Sequence, residues 1–122
     1  MATKFIRRRE ELLTGFRKLR SEMPQVMAGF GQIHKASMSE GELSTKTKEL
    51  IALAIGVTSR CEGCIALHTY DALRAGATQT EVQEALGVAI MMGGGPAAVY
   101  ASEALEAVEQ FHLHRDDDAT DG

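Results

Sequence analysis

The sequence lacks the segments that would place it in a membrane or direct it for secretion. No uninterrupted apolar run approaches the roughly 18 residues that a transmembrane helix needs, so we expect none. The N-terminus carries charges without a following apolar segment and small-residue cleavage site, so we expect no secretory signal. We therefore expect a cytoplasmic protein. In that compartment a cysteine pair more often serves catalysis or metal binding than a structural disulfide.

The chain also lacks the overall positive charge that favours nucleic acid as a partner. Its formal net charge is -4 at pH 7, and we expect neither a nucleic-acid nor a membrane partner. Lys and Arg are concentrated in the first twenty residues, at positions 4, 7, 8, 9, 17, 18 and 20. A solvated face of an N-terminal helix is the simplest interpretation of this basic segment.

No alternating pattern or hairpin signal predicts a β-strand, and every periodic segment has the spacing of an α-helix. The predicted helices cover residues 4–21, a segment beginning at Pro24, 49–57, 61–75, a segment after Thr78, and a last one after 95. Gly93-Gly94-Gly95-Pro96 predicts the break before the last helix. The segment at 49–57 is apolar all round, which predicts a fully buried helix.

Helix start signals support these assignments. Ser39-x-x-Glu42 and Thr78-x-x-Glu81 both have the form of a capping box, and Ser44 offers a further N-cap before the apolar segment. With 122 residues, the chain fits one all-α domain, placed at 1–114 with its motif region at 44–110. The acidic segment at 115–122 is expected to be a disordered tail.

The segment Cys61-Glu62-Gly63-Cys64-Ile65-Ala66-Leu67-His68 places both cysteines and a histidine on one stripe of a predicted helix. At about 100° per residue, the three fall within about 60° of one another. Thiols three residues apart can form a disulfide across one turn, and the imidazole can accept a thiol proton. The first turn of a helix also stabilises a thiolate. Although each residue alone could be an ordinary core side chain, their coincidence predicts dithiol redox chemistry.

Glu49 is a carboxylate at the head of the most apolar predicted helix, twelve residues before Cys61. It could cap its own helix through the free N–H groups of the first turn. It could instead project toward the thiol stripe and relay protons with His68. The residues alone leave both interpretations open.

Zinc binding is a further alternative for the same motif. Cys61, Cys64 and His68 would supply three ligands. A fourth would come from one of four residues: His34, Glu49, His112 or His114. Because structural zinc pairs normally lie on loops, we favour redox chemistry and expect no metal. Haem attachment requires a histidine directly after the second cysteine, where Ile65 stands.

Together these residues resemble the signature of the alkylhydroperoxidase D-like branch of the carboxymuconolactone decarboxylase family. The resemblance covers roughly residues 44–110. It consists of Glu49, a gap of eleven residues, Cys61-x-x-Cys64-x-x-x-His68, Gly76-Ala77, and Met92-Gly93-Gly94-Gly95-Pro96-Ala97.

The resemblance implies an all-helical bundle that assembles as a trimer or hexamer. It implies a thiol-dependent peroxidase or dithiol–disulfide oxidoreductase in antioxidant defence, with no cofactor. Cys64 would be the peroxidatic cysteine, Cys61 its resolving partner, and His68 with Glu49 the proton relay. The substrate would be a small hydroperoxide or disulfide, and the reductant an unidentified protein. The alternatives are an acid/base enzyme of the decarboxylase type, which generally lacks the cysteine pair, and a zinc-binding helical scaffold.

Apolar surface independently predicts a homo-oligomer. Besides the segment at 50–57, the side chains of Val88, Met91 and Met92 extend beyond the stripe that one helix would bury. One small domain can hardly cover both apolar faces by itself.

Overall fold

The computed structural model describes residues 3–121, with side chains through residue 115. Its helices are α1 (Lys4–Glu22), α2 (Pro24–Met38), α3 (Thr45–Thr58), α4 (Glu62–Arg74) and α5 (Gln79–Asp121). Within residues 3–121 there is no strand, and the predicted all-α class is confirmed. The backbone of α5 is helical to Asp121. Side chains from residue 116 onward lie outside the described part, and the disordered acidic tail stays a prediction, as does the domain boundary before it.

The loop between α2 and α3 corrects one predicted helix start. The side chain of Ser44 caps α3 by accepting the N–H of Thr47 at 3.1 Å, as predicted. Ser39 instead ends α2, so Ser39-x-x-Glu42 is not a capping box. The next residue, Glu40, accepts the N–H of Thr45 at 3.1 Å and so holds the loop against the start of α3.

The turn between α4 and α5 follows the predicted signals. Gly76 has a φ of 100°, a conformation that glycine adopts without steric cost, and it ends α4. Thr78 and Glu81 then form the predicted capping box. The N–H of Thr78 donates to Oε1 of Glu81 at 2.9 Å, and the N–H of Glu81 donates to Oγ1 of Thr78 at 3.1 Å.

The predicted break in α5 occurs at Gly94, whose φ of 71° and ψ of -149° are not helical. The segments before and after it therefore pack as two helices. The helical segment Gln79–Arg115 contains a window of 18 residues with a mean hydropathy of 1.3. By length and composition alone, this segment is long and apolar enough to cross a membrane. The sequence has no uninterrupted apolar run of that length, and the expectation that no helix spans a membrane stays a prediction. The helix is broken at Gly94, and its Ala89, Ala97 and Ala101 are buried in the core.

The core forms where α3, α4 and α5 meet, and it fixes the positions of the two helices that carry the motif. Leu53, Val57, Ile65, Val82 and Val108 are completely buried there. Burying an aliphatic side chain of this size stabilises the fold by about 1.5–3 kcal/mol, so the α3–α4 contact is well anchored.

The N-terminal helix is fastened across this core. Phe5 is completely buried, and its backbone N–H donates to Oε1 of the buried Gln110 at 2.8 Å. This contact satisfies an N–H at the start of α1 that has no intrahelical partner. It brings the basic face of α1 beside the start of α4.

The α3 helix is not fully buried within one chain, which corrects the prediction for 49–57. Ile51 and Ile55 are 45% and 58% exposed, because α4 and α5 cover only part of the helix. Their side chains line a groove of about 370 Å³ with Val88 and Met92 of α5. The predicted oligomer, which would cover this groove, stays a prediction.

Candidate active site

Glu49 and His68 are joined across the α3–α4 interface. Oε2 of Glu49 lies 2.8 Å from Nδ1 of His68, and Glu49 is only 4% exposed. Of the two interpretations of Glu49, the structure therefore supports the one in which the carboxylate projects toward the thiol-bearing helix. Its role as a proton relay stays a prediction.

Cys61 and Cys64 form a disulfide at the N-terminus of α4, with their Cα atoms 5.2 Å apart. Cys61 is the N-cap of the helix, and its Sγ accepts the N–H of Cys64 at 3.1 Å. Both cysteines are half-buried. The pairing is the one that the spacing predicts. Because unsatisfied N–H groups surround the first turn, a thiolate formed there on reduction would be stabilised.

The close packing of α3 against α4 depends on Gly56, which the sequence reasoning missed. A Cβ atom at Gly56 would lie 2.9 Å from the Cβ of Cys64, a separation that side-chain carbons do not tolerate. Gly56 is buried opposite the second cysteine. A glycine inside an otherwise apolar helix was the available signal, because such a residue marks close approach of another backbone.

The environment of His68 favours its protonated form. The hydrogen bond to Glu49 raises the pKa of His68 above 6.5, burial opposes this, and the negative charges of Glu49 and Asp71 add to the increase. An imidazolium one helical turn after Cys64 can stabilise a thiolate and donate a proton.

Asp71 is a second residue that the sequence reasoning missed. Ligand atoms of Glu49, His68 and Asp71 all lie within 4.8 Å of one another. Burial and the charge of Glu49 raise the pKa of the Asp71 carboxyl, against the effect of nearby positive groups. The available signal was helical spacing, since Asp71 follows His68 by three residues and shares its side of α4.

The zinc set considered from the sequence is not assembled in this form of the protein. The sulfurs of Cys61 and Cys64 are bonded to each other, and His68 is hydrogen bonded to Glu49. Glu49, His68 and Asp71 are close enough to hold a metal ion. Nδ1 of His68 bonds to Glu49, so the three side chains form a compact cluster of two carboxylates and one imidazole.

Glu62, which places a negative charge beside the cysteines, is turned toward α1. Its carboxylate oxygens lie 3.4 Å from Nζ of Lys4 and 4.0 Å from Nε of Arg8. Exposed ion pairs of this kind contribute little to stability. The positive charges of Lys4 and Arg8 partly offset the effect of the Glu62 charge on the thiols. Part of the basic N-terminal segment therefore lies beside the start of α4.

A cavity of about 340 Å³ opens beside His68, between α1, α2 and α4. Its walls are largely apolar and include Leu13, Phe16, Met27, Phe30 and Leu67. His34, His68, Asp71 and Arg20 add polar groups to the lining. The cavity is large enough for a small organic molecule with a polar end directed to His68.

The fold and this site define an all-helical protein with a helix-borne Cys-x-x-Cys and a buried carboxylate–imidazole pair. The family model of the carboxymuconolactone decarboxylase family matches residues 24–107. An uncharacterized protein of Cupriavidus necator is 41% identical over 105 residues, covering 86% of this chain and 93% of that protein. The chain belongs to the carboxymuconolactone decarboxylase family.

Two solved structures support this assignment. A protein of the same family from Legionella pneumophila, crystallised in its apo form, is 44% identical with a TM-score of 0.88, covering 90% of this chain and 98% of that one. A Thermotoga maritima family member is 28% identical with a TM-score of 0.78, covering 93% and 94%. A role in the antioxidative response has been suggested for the Thermotoga protein.

Proposed function

We propose that this protein is a thiol-dependent peroxidase of the alkylhydroperoxidase D-like branch, which reduces organic hydroperoxides. The observation that carries the proposal is the disulfide at the N-terminus of α4, one helical turn from an imidazole that a buried carboxylate holds. Cys64 is the peroxidatic cysteine, Cys61 the resolving cysteine, and His68 with Glu49 the proton relay.

The first step takes place at Cys64. Its thiolate attacks the terminal oxygen of the hydroperoxide, so that a sulfur–oxygen bond forms and the oxygen–oxygen bond breaks. The leaving alkoxide takes a proton from the His68 imidazolium and departs as an alcohol, leaving a sulfenic acid on Cys64. Oε2 of Glu49 accepts the hydrogen bond from the N–H at Nδ1, which stabilises the imidazolium before this transfer and is retained by the neutral imidazole after it.

The second step involves Cys61. Its thiolate attacks the sulfenic sulfur of Cys64, the disulfide forms, and the oxygen leaves as water after protonation. An external dithiol then reduces the disulfide by exchange and is itself oxidised. The sum is one hydroperoxide and one dithiol converted to one alcohol, one water and one disulfide.

The site's surroundings support an organic rather than a purely inorganic peroxide. The 340 Å³ cavity beside His68 has mainly apolar walls, which favour the hydrocarbon part of a substrate over water. The suggested antioxidative role of the Thermotoga maritima relative agrees with this chemistry.

A turnover assay tests the proposal. With dithiothreitol as the dithiol, the wild-type protein should consume cumene hydroperoxide catalytically. Cys64→Ser should abolish consumption. Reduced Cys61→Ser, freed of dithiothreitol, should react once with cumene hydroperoxide and stop at a sulfenic acid on Cys64. Wild-type protein that consumes no hydroperoxide would contradict the proposal. Retention of activity in Cys64→Ser would show that Cys64 is not the peroxidatic residue.

A further inference from the structure

Two carboxylates lie close to one imidazole in this site, and one of them is hydrogen bonded to it. Asp71 and His68 belong to α4 and Glu49 to α3, and their ligand atoms lie within 4.8 Å of one another. Nδ1 of His68 is hydrogen bonded to Glu49, and the proposed steps give Asp71 no role. Its carboxylate nevertheless lines the same cavity as His68, where a substrate would enter.

Charged groups from the other helices surround this cluster. Arg9 of α1 lies with its guanidinium 3.5 Å from the centre of the Tyr70 ring, a contact that fixes its position near Asp71. Arg20 of α1 and His34 of α2 line the cavity. The positive charges of His68, Arg9 and His34 oppose the increase in the pKa of Asp71 that burial and Glu49 cause.

We propose that Asp71 is a positioning residue that holds His68 in its protonated form, ready to donate a proton during reaction at Cys64. This inference rests on the proposed function. With Glu49 accepting the hydrogen bond from Nδ1, a second negative charge within 4.8 Å stabilises the imidazolium further relative to the neutral ring. The histidine then meets the substrate as an acid rather than as a base.

The physical consequence is a wider pH range of activity. The rate rises with pH as the Cys64 thiol ionises and falls again as His68 loses its proton. Asp71 acts on the second limb alone, by keeping His68 protonated to higher pH. Without that charge the alkaline limb moves to lower pH while the acidic limb stays in place, and the active range narrows from its alkaline side.

Titration of His68 by NMR in the disulfide form tests the inference without relying on activity. The His68 signal is assigned by its absence in His68→Ala. Asp71→Asn should lower the pKa of His68, because the negative charge of Asp71 is one of the causes that raise it. Asp71→Glu should restore most of the loss. Glu84→Gln, which removes an exposed acid from α5, should leave the pKa unchanged. An unchanged pKa in Asp71→Asn would overturn the inference.

The pH profile of kcat/KM for cumene hydroperoxide supplies the kinetic test. Asp71→Asn should shift the alkaline limb to lower pH by the same amount as the NMR titration, with little change near pH 6. A rate that falls equally at all pH values, with both limbs in place, would mean a merely structural role. Zn²⁺ bound at one per disulfide-form chain, and lost in Asp71→Asn, would make Asp71 a metal ligand and also overturn the inference. If the wild-type protein reduces no hydroperoxide, the proposed function fails, while the NMR titration still decides the effect of Asp71 on His68.

Discussion

The backbone of Gly56 lies directly against the side chain of Cys64, so that a single added carbon would come within 2.9 Å of the cysteine Cβ. This contact brings α3 and α4 together at the cysteine that we place in the peroxidatic role. The same interface carries the bond between Glu49 and His68. The spacing of these two helices therefore sets both the thiol position and the relay geometry.

Gly56→Ala should destabilise the protein and slow hydroperoxide reduction. Overpacking of this kind costs about 1–3 kcal/mol, and alanine regains about 1 kcal/mol through its helix propensity, so we expect a net loss of up to about 2 kcal/mol. Urea denaturation measures the free energy of unfolding. Gly15→Ala is the matched control, since a Cβ there meets nothing within 4 Å and should stabilise α1. Equal effects of the two substitutions would contradict the proposed contact.

Glu49→Gln should lower the pKa of His68 and weaken the pH dependence of stability. The folded-state pKa of His68 lies above 6.5, chiefly because of the Glu49 hydrogen bond. The stability from this bond is therefore fully present below pH 6.5 and lost as pH rises through the raised folded-state value. Denaturation midpoints measured between pH 5.5 and 9 should fall across this window in the wild type and vary less in Glu49→Gln. Parallel curves for the two proteins would show that the pair does not contribute.

His68→Ala should slow the reaction with hydroperoxide by about 10²–10⁴-fold, the usual contribution of general acid catalysis. The helical content, measured by circular dichroism, should stay near that of the wild type because His68 lies beside a cavity rather than inside the core. A variant that keeps the wild-type rate would remove His68 from the mechanism.

The apolar groove between α3 and α5 should be an interface between copies of this chain. Light scattering should give a mass that is a multiple of 13.2 kDa, three or six times by the family resemblance. Ile55→Lys places a charge in the groove, next to Met92 and Val88, and should dissociate the assembly. Glu109→Lys changes an exposed residue of α5 elsewhere and should not. A wild-type mass near that of a single chain would refute the interface.

Local signals predicted most of the fold. Ser44, Gly76 and the pair Thr78–Glu81 act through hydrogen bonds or backbone angles within a few residues, so their effects can be deduced from neighbouring positions. Ser39 was misassigned because the same residue types also favour the end of a helix or a turn. Nothing in its immediate neighbours distinguishes the two.

The site was predictable only within each helix. The shared side of Cys64 and His68 follows from the helical period of α4 alone. Cys61 was expected to be the first residue of that helix, but it is the N-cap with an extended backbone, so its position depends on the cap geometry. The orientation of Glu49 toward His68 depends on how α3 packs against α4, and this is decided by Gly56 and the shared core. Asp71 can be recognised as part of the site only when the position of Glu49, which belongs to a different helix, is known.

The central claim is that Cys61 and Cys64 exchange electrons with a hydroperoxide, and one measurement tests it most directly. Reduced wild-type protein, freed of reductant, receives one equivalent of cumene hydroperoxide per chain, and free thiols are titrated before and after. The account predicts the loss of both thiols, a two-dalton decrease in the mass of the peptide containing residues 61–68, and full recovery with dithiothreitol. Thiols that persist while the hydroperoxide remains unconsumed would contradict it.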